Sequence, residues 1–178
     1  MVILYLLVLL AALVIPILIG FYAFYAIWGD IKGAPFVPTS NKLIEQILKE
    51  AKLKKGQVFV ELGSGDGRVV RAAVGDYGVK GLGVDVHPLL IWYSRFLSRK
   101  LKNIKFKRQD FFQTDLKQVD VLFLFLLPKT LIKLRKKILT ECKKGSVVIS
   151  HGFKVEGWDK KLIKVQKRDL FSTYYYKV

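Results

Sequence analysis

Residues 58–70 read Val58-Phe-Val-Glu-Leu-Gly-Ser-Gly-Asp-Gly-Arg-Val-Val70, a short apolar run, an acid, three glycines at alternate positions and then a pattern that turns helical. This predicts a buried strand ending at Leu62, a glycine loop, and a helix that starts near Gly67. Gly63, Gly65 and Gly67 permit positive φ and carry no side chains, so a ligand can lie directly against the backbone at the mouth of that helix. Ser64 shares the same cradle.

A dinucleotide pyrophosphate calls for the spacing G-x-G-x-x-G, and Arg68 stands where the third glycine would be. Glu61 argues further against a phosphate, because a carboxylate at the strand end repels an anion and attracts an ammonium. S-adenosylmethionine has an ammonium on its methionine end and no phosphate. An acidic strand end followed by G-x-G-x-G therefore reads as the first motif of a class I methyltransferase.

The residues downstream support this reading. Lys80-Gly-Leu-Gly-Val-Asp85 predicts a second strand ending in an acid about 20 residues past the glycines, where a Rossmann-like unit places the carboxylate that accepts ribose hydroxyls. Asn103 to Asp110 alternates apolar and basic residues as a half-exposed third strand would, and delivers Asp110 with Phe111 to the same edge, an acid for the adenine amino group and an aromatic for its ring. Val119 to Leu127 predicts a central strand stopped by Pro128, Lys129 to Cys142 a basic amphipathic helix, and Gly145 to His151 a fifth strand. Lys161 to Arg168 and Leu170 to Val178 suit a closing antiparallel pair, with Tyr174 and Tyr176 on one face and Tyr175 on the other. The expected fold class is α/β, a Rossmann-like seven-stranded class I methyltransferase sheet preceded by one transmembrane helix.

That helix comes from the start of the chain. Val2 to Trp28 contains no charged residue, and at about 1.5 Å per residue it would reach roughly 40 Å, against a hydrocarbon core of about 30 Å. It reads as a membrane anchor rather than a cleaved signal, because no basic segment precedes it and the apolar run is too long. Pro16 sits within it. All 31 Lys and Arg residues come after it, which by positive-inside reasoning predicts a single-pass protein with its catalytic domain on the cytoplasmic side. The expected domains are an anchor at 1–28, a linker with an N-terminal helix covering the cofactor edge at 29–56, and the methyltransferase domain at 57–178.

The net charge of +17 is concentrated at Arg95 to Arg108 and Lys129 to Lys144. A basic surface of this kind suits anionic lipid headgroups, nucleic acid or an acidic protein, and in a domain tethered beside a bilayer headgroups are the nearest anions. An anionic lipid surface is thus the expected partner and nucleic acid is not. The single cysteine, Cys142, excludes an intramolecular disulfide or a cysteine-based zinc site, and no metal-binding set is read.

Between anchor and glycine loop, Gly33-Ala-Pro-Phe-Val-Pro-Thr-Ser40 is stiffened by two prolines, and Ser40 or Thr39 can cap a helix over Asn41 to Lys54. Two readings remain open: a rigid linker with a capped helix, or a segment that folds over the cofactor edge with Phe36 and Thr39 facing the methyl group. Pro35-Phe-Val-Pro-Thr39, Glu61 to Arg68, and Asp85 with His87-Pro88 together resemble the membrane-anchored seven-strand lysine methyltransferases, which include the mitochondrial enzymes acting on the ATP synthase proteolipid ring protein and on adenine nucleotide translocase. The likeness runs from about Gly33 to Val178. It implies S-adenosylmethionine-dependent transfer to a lysine of a membrane-associated protein, in a prokaryotic relative of those enzymes, with Phe36, Pro38, Thr39 and Pro128 on the acceptor side.

Leu127-Pro128 stands where many amino methyltransferases carry Asn-Pro-Pro-Tyr or Asp-Pro-Pro-Tyr, which counts against methylation of DNA bases or glutamine. His151 could take a proton but reads better as a packing residue, and His87 as a loop residue, so no catalytic base is assigned. Two alternatives stay open: methylation of a lipid or quinone head group, and a non-catalytic basic membrane adaptor that keeps the fold.

Overall fold

The computed structural model of the chain describes residues 1–32 and 39–178, which fall into two compact units, Met1–Val37 and Pro38–Val178. The first is one helix, α1 (Val2–Lys32), which runs past the expected end at Trp28 and accommodates Pro16 without stopping. Its Val2–Gly20 segment is long and apolar enough to cross a membrane, and its side chains are exposed.

The second unit opens with α2 (Asn41–Glu50), followed by β1 (Val58–Leu62), α3 (Arg68–Tyr77), β2 (Lys80–Asp85) and α4 (Pro88–Leu97). Next come β3 (Ile104–Arg108), β4 (Val121–Leu124), α5 (Pro128–Glu141), β5 (Val147–His151), β6 (Leu162–Gln166) and β7 (Thr173–Lys177). The seven strands form one sheet in the order β3-β2-β1-β4-β5-β7-β6, in which the first five are parallel and β7 is antiparallel to both its neighbours. Strand order reverses between β1 and β4, the position where open α/β sheets hold ligands beyond the carboxyl ends of their strands. The expected seven-strand class is therefore the observed one.

Alternation along β1 sorts the two faces. Phe59 joins a core with Ile44, Ile47 and Leu48 of α2 and Val69, Val70 and Ala73 of α3, whereas Val60 and Leu62 join a core with Leu131, Leu134 and Ile138 of α5. The closing strand does the same, Tyr175 packing with the first core and Tyr176 with the second, as the tyrosine alternation predicts. Tyr175 also donates its hydroxyl to the Ile47 carbonyl at 3.1 Å, which fastens α2 to the sheet.

The helix predicted over Asn41 to Lys54 is capped as expected, Ser40 Oγ accepting from the Leu43 amide at 3.4 Å. It ends earlier, at Glu50, because Lys52 takes a left-handed conformation (φ 51°) and Gln57 Oε1 captures the Lys54 amide at 2.7 Å. His87, expected in a loop, is the N-cap of α4, its Nδ1 accepting from the Leu90 amide at 3.3 Å.

Helix α3 approaches β2 closely because Gly81 has no side chain: a Cβ there would lie 2.5 Å from Val74 Cγ2 and 2.7 Å from Val70 Cγ1. Gly75, in the same helix, faces open space. Gly81→Ala should therefore cost about 1–3 kcal/mol by overpacking, whereas Gly75→Ala should stabilise by about 0.5–1 kcal/mol through helix propensity. Urea unfolding of the two variants followed by circular dichroism checks the opposite signs.

Candidate functional site

The carboxyl ends of β1, β2 and β3 bring Glu61, Asp85 and Asp110 to one edge of the sheet. The glycine loop begins directly after Leu62, and all three of its glycines have positive φ: 79° at Gly63, 53° at Gly65 and 75° at Gly67. Only residues without a Cβ take these values freely. At Gly67 a Cβ would also sit 2.4 Å from the Phe106 ring, so the loop lies tight against β3. Gly67 is the N-cap of α3.

The loop is tied to the second strand. The amides of Gly63 and Ser64 both donate to the Val84 carbonyl, at 2.8 and 2.9 Å. Beyond them, the Asp85 carboxylate accepts from the Gly65 amide through Oδ2 and from the His87 amide through Oδ1, both at 2.8 Å. Each oxygen keeps a second lone pair for an incoming hydroxyl.

Glu61 is 5% exposed, and its Oε2 has no hydrogen-bond partner among the described residues. Burial pushes its carboxyl well above the usual range, and the neighbouring charges of Asp66 and Asp85 push it further; the Val70 amide and the Arg71 guanidinium oppose this more weakly. Ser64 Oγ is likewise buried and without a partner among the described residues. A buried carboxyl with one oxygen unpartnered and acids around it favours a cation. The residues present therefore fit S-adenosylmethionine: an ammonium beside Glu61, ribose hydroxyls beside Asp85, and a backbone cradle between them.

At the third strand, Asp110 is exposed and caps a short 3-10 turn, Oδ1 accepting from the Phe112 amide at 2.9 Å. Phe111 is half-buried against the core, and Phe112 beside it is the more exposed ring. Pro128 is the exposed first residue of α5, just beyond β4. Phe36 and Pro38 lie outside the described residues.

Thr39 is buried, and its backbone is held by the side chain of the first residue of α3. Arg68 donates from Nε and Nη2 to the Asp66 carboxylate at 2.7–3.0 Å and from Nη1 to the Thr39 carbonyl at 3.1 Å. Arg71 reaches the Asp66 carbonyl from the next turn of α3. One guanidinium thus joins the glycine loop to the segment that leads into α2. Burial raises the Asp66 carboxyl, but the Arg68 bonds outweigh it and hold the group below its usual value. The G-D-G-R sequence was the available signal, since an Asp two residues before an Arg at a helix start is poised to pair with it.

His151, at the end of β5, is buried with Nδ1 2.9 Å from Thr173 Oγ1, its ring centroid 4.7 Å from Phe125 and 5.9 Å from Phe171. Burial, and then the Arg168 charge, push its pKa down to about 4, so it stays neutral near pH 7 and serves as a packing residue. Phe125, Phe153 and Phe171 make an aromatic wall around it beyond the ends of β4 and β5. Leu126, next in the chain, faces the loop, 3.0 Å from where a Gly63 Cβ would be.

Comparisons with known proteins point the same way. The ANTKMT methyltransferase domain matches residues 61–162. A Saccharolobus islandicus protein named protein-lysine N-methyltransferase is 32% identical over 152 residues, covering 82% of this chain and 93% of its own length. The Homo sapiens lysine N-methyltransferase named for the C-subunit of ATP synthase is 32% identical over 127 residues, covering 70% of this chain and 54% of its own, so this chain spans about half the length of that relative. A crystal structure described as an RNA methyltransferase from Salinibacter ruber in complex with S-adenosyl-L-homocysteine superposes with a TM-score of 0.75 at 28% identity, covering 80% of this chain and 94% of that one.

A cation bound beside Glu61 displaces the proton that the ligand-free acid retains above its ordinary value of 4.5. Affinity for S-adenosylhomocysteine, which keeps the ammonium, should accordingly rise as the pH climbs above 4.5, by up to tenfold per unit, and level off once the ligand-free acid has lost its proton. Glu61→Gln should flatten that slope, weaken binding by about 10–100-fold, and raise the Tm of the ligand-free protein, since an amide is already neutral and needs no proton taken up on folding. Calorimetric titrations across the pH range and thermal melts read all three.

Proposed function

This chain belongs to the ANTKMT methyltransferase family, whose members use S-adenosylmethionine, and we propose that the group it methylates is the side-chain amine of a protein lysine. The observation that carries this reading is the aromatic wall of Phe125, Phe153 and Phe171 beside a neutral His151, at the end of the sheet where an acceptor would meet the cofactor. A free lysine has a pKa near 10.4, so only about one in two thousand is neutral at pH 7. An apolar wall disfavours the ammonium and so supplies the neutral nucleophile without a dedicated base. The names of the Saccharolobus and human relatives support the same acceptor.

When bound, S-adenosylmethionine supplies a methyl group already activated on a sulfonium. The chain's own residues have to hold and align. Glu61 would take the methionine ammonium, Gly63, Ser64, Gly65 and Gly67 the backbone cradle, and Asp85 the ribose. Asp110 and Phe111 would border the adenine, with Phe112 the more exposed ring beside them. Thr39, held by Arg68, would form the acceptor side with Phe36, Pro38 and Pro128. Alignment of this kind is the larger part of catalysis for an in-line displacement at carbon.

The protein would be anchored through α1, with its catalytic unit on the cytoplasmic side, and would act on a protein at that membrane; the placement of all 31 Lys and Arg residues after Trp28 supports this. A second reading, an RNA acceptor, draws on the net charge of +17 and on the description of the Salinibacter structure.

The test is transfer of labelled methyl from S-adenosylmethionine into membranes of cells that lack this gene, comparing the full chain with Asp85→Ala. Label recovered as methyl-lysine after protein hydrolysis is the expected outcome, reduced about 100-fold in the variant, which loses the loop tether and the ribose acceptor, a loss of roughly 3 kcal/mol. Label confined to RNA or to extracted lipid would refute the lysine reading.

A further inference from the structure

Helix α4 is inverted. Its inward face is Ile91, Ser94 and Ser98, all buried, and the two serine hydroxyls turn back onto the carbonyls of Ile91 and Ser94 at 2.9 and 2.6 Å. The reason is steric. Ser94 Cβ lies 3.0 Å from where a Gly67 Cβ would be, so only small residues fit between this helix and the glycine loop. The large apolar residues are left on the outside: Leu89 is 53% exposed, Trp92 64% and Phe96 49%, with Tyr93 and Leu97 also exposed. Trp92 and Phe96 stack, their centroids 6.0 Å apart and their planes 12° apart, and the Arg99 guanidinium lies 4.4 Å over the Phe96 ring. A contiguous aromatic and aliphatic patch on the surface calls for a partner.

Cations surround it. From Val86 to Gln109 the chain has seven Lys and Arg residues and no acid, and all seven are exposed. Arg95, Arg99, Lys100 and Lys102 continue from α4, and Lys105, Lys107 and Arg108 stand on β3, the edge strand of the sheet.

We infer that the outer face of α4 docks on the interface of an anionic bilayer, with Leu89, Trp92 and Phe96 among the headgroups and the flanking lysines and arginines against lipid phosphates. Tryptophan with aliphatic neighbours and a basic fringe is the composition of an interfacial helix. A nucleic acid would use the cations and the rings but has no use for exposed Leu89 and Leu97. This rests on the membrane reading of α1 and is independent of the lysine acceptor. It also adds a second contact to the first, because α4 starts three residues after Asp85 and would fix which way the cofactor edge faces relative to the lipid surface.

The test uses the full chain carrying Trp28→Phe, so that Trp92 and the core residue Trp158 are the remaining tryptophans. It is reconstituted in nanodiscs of phosphatidylcholine with brominated acyl chains, with or without phosphatidylglycerol. Trp92 emission should be quenched about twofold or more in the anionic discs, and less in neutral discs or after Arg99→Glu with Lys100→Glu and Lys102→Glu. Trp92→Phe should remove the quenched component and leave the shielded Trp158. A disc-embedded chain with unquenched Trp92 overturns the inference alone, and a chain that does not enter the discs overturns it together with the membrane reading of α1. Quenching indifferent to anionic lipid and to charge reversal overturns it too, as does Trp92 protected by an oligoribonucleotide or by a second copy of the chain instead of by lipid.

Discussion

The Asp85 carboxylate holds two ends of the structure at once. One oxygen receives the Gly65 amide in the first crossover and the other the His87 amide at the start of α4, so a single side chain sets the shape of the glycine loop and the direction of the helix that packs on it. Everything at the carboxyl edge depends on that tie. With Gly65 fixed, the loop keeps its three left-handed glycines, Glu61 stays enclosed beneath them, and Ser94 meets Gly67 without room for a larger residue. A carboxylate that accepts backbone amides on both oxygens is also pointed before any ligand arrives, which is the preorganisation that binding otherwise costs entropy to achieve.

Glu61 is the counterpart of that order. It sits on the same face of β1 as Phe59, in a setting where a leucine would serve the fold better, and it is left without a partner for Oε2 among the described residues. The protein gives up stability at this point and recovers it when a cation arrives. The Asp66–Arg68–Thr39 bridge is the complementary case, a half-buried ion pair that is fully satisfied and links the loop to α2.

Much of this was legible in the sequence because it arises from short-range patterns. The strand-loop-helix at 58–70, the acids ending β1 and β2, and the face alternation of Tyr174 to Tyr176 each depend on residues within a few positions of one another. The features that stayed hidden depend on contacts across the fold. Arg68 reads in the sequence as a residue that breaks a dinucleotide spacing and, through G-D-G-R, as a partner for Asp66, but nothing local shows that its guanidinium also spans 29 residues to Thr39. Pro88 to Leu97 does not stand out as a helix, because its small, hydroxyl-bearing inner face and aromatic outer face reverse the pattern by which helices are found. His151 has the look of a possible proton acceptor, and only its enclosure by Phe125, Phe171 and Thr173 shows why it is held neutral.

Strand β7 comes after every other strand in chain order yet lies between β5 and β6, hydrogen-bonded to both. Until it is in place, β6 has no neighbour, β5 is an open edge, and Tyr175 is missing from the contact that fastens α2 to the sheet. The sheet is therefore closed by a strand synthesised after the other six, and α1 is made before all of them. At about 5–20 residues per second, α1 precedes β7 by several seconds to about half a minute. For that interval the nascent chain presents an apolar helix and an unfinished sheet, so whatever receives the helix does so before the sheet that carries the site is closed.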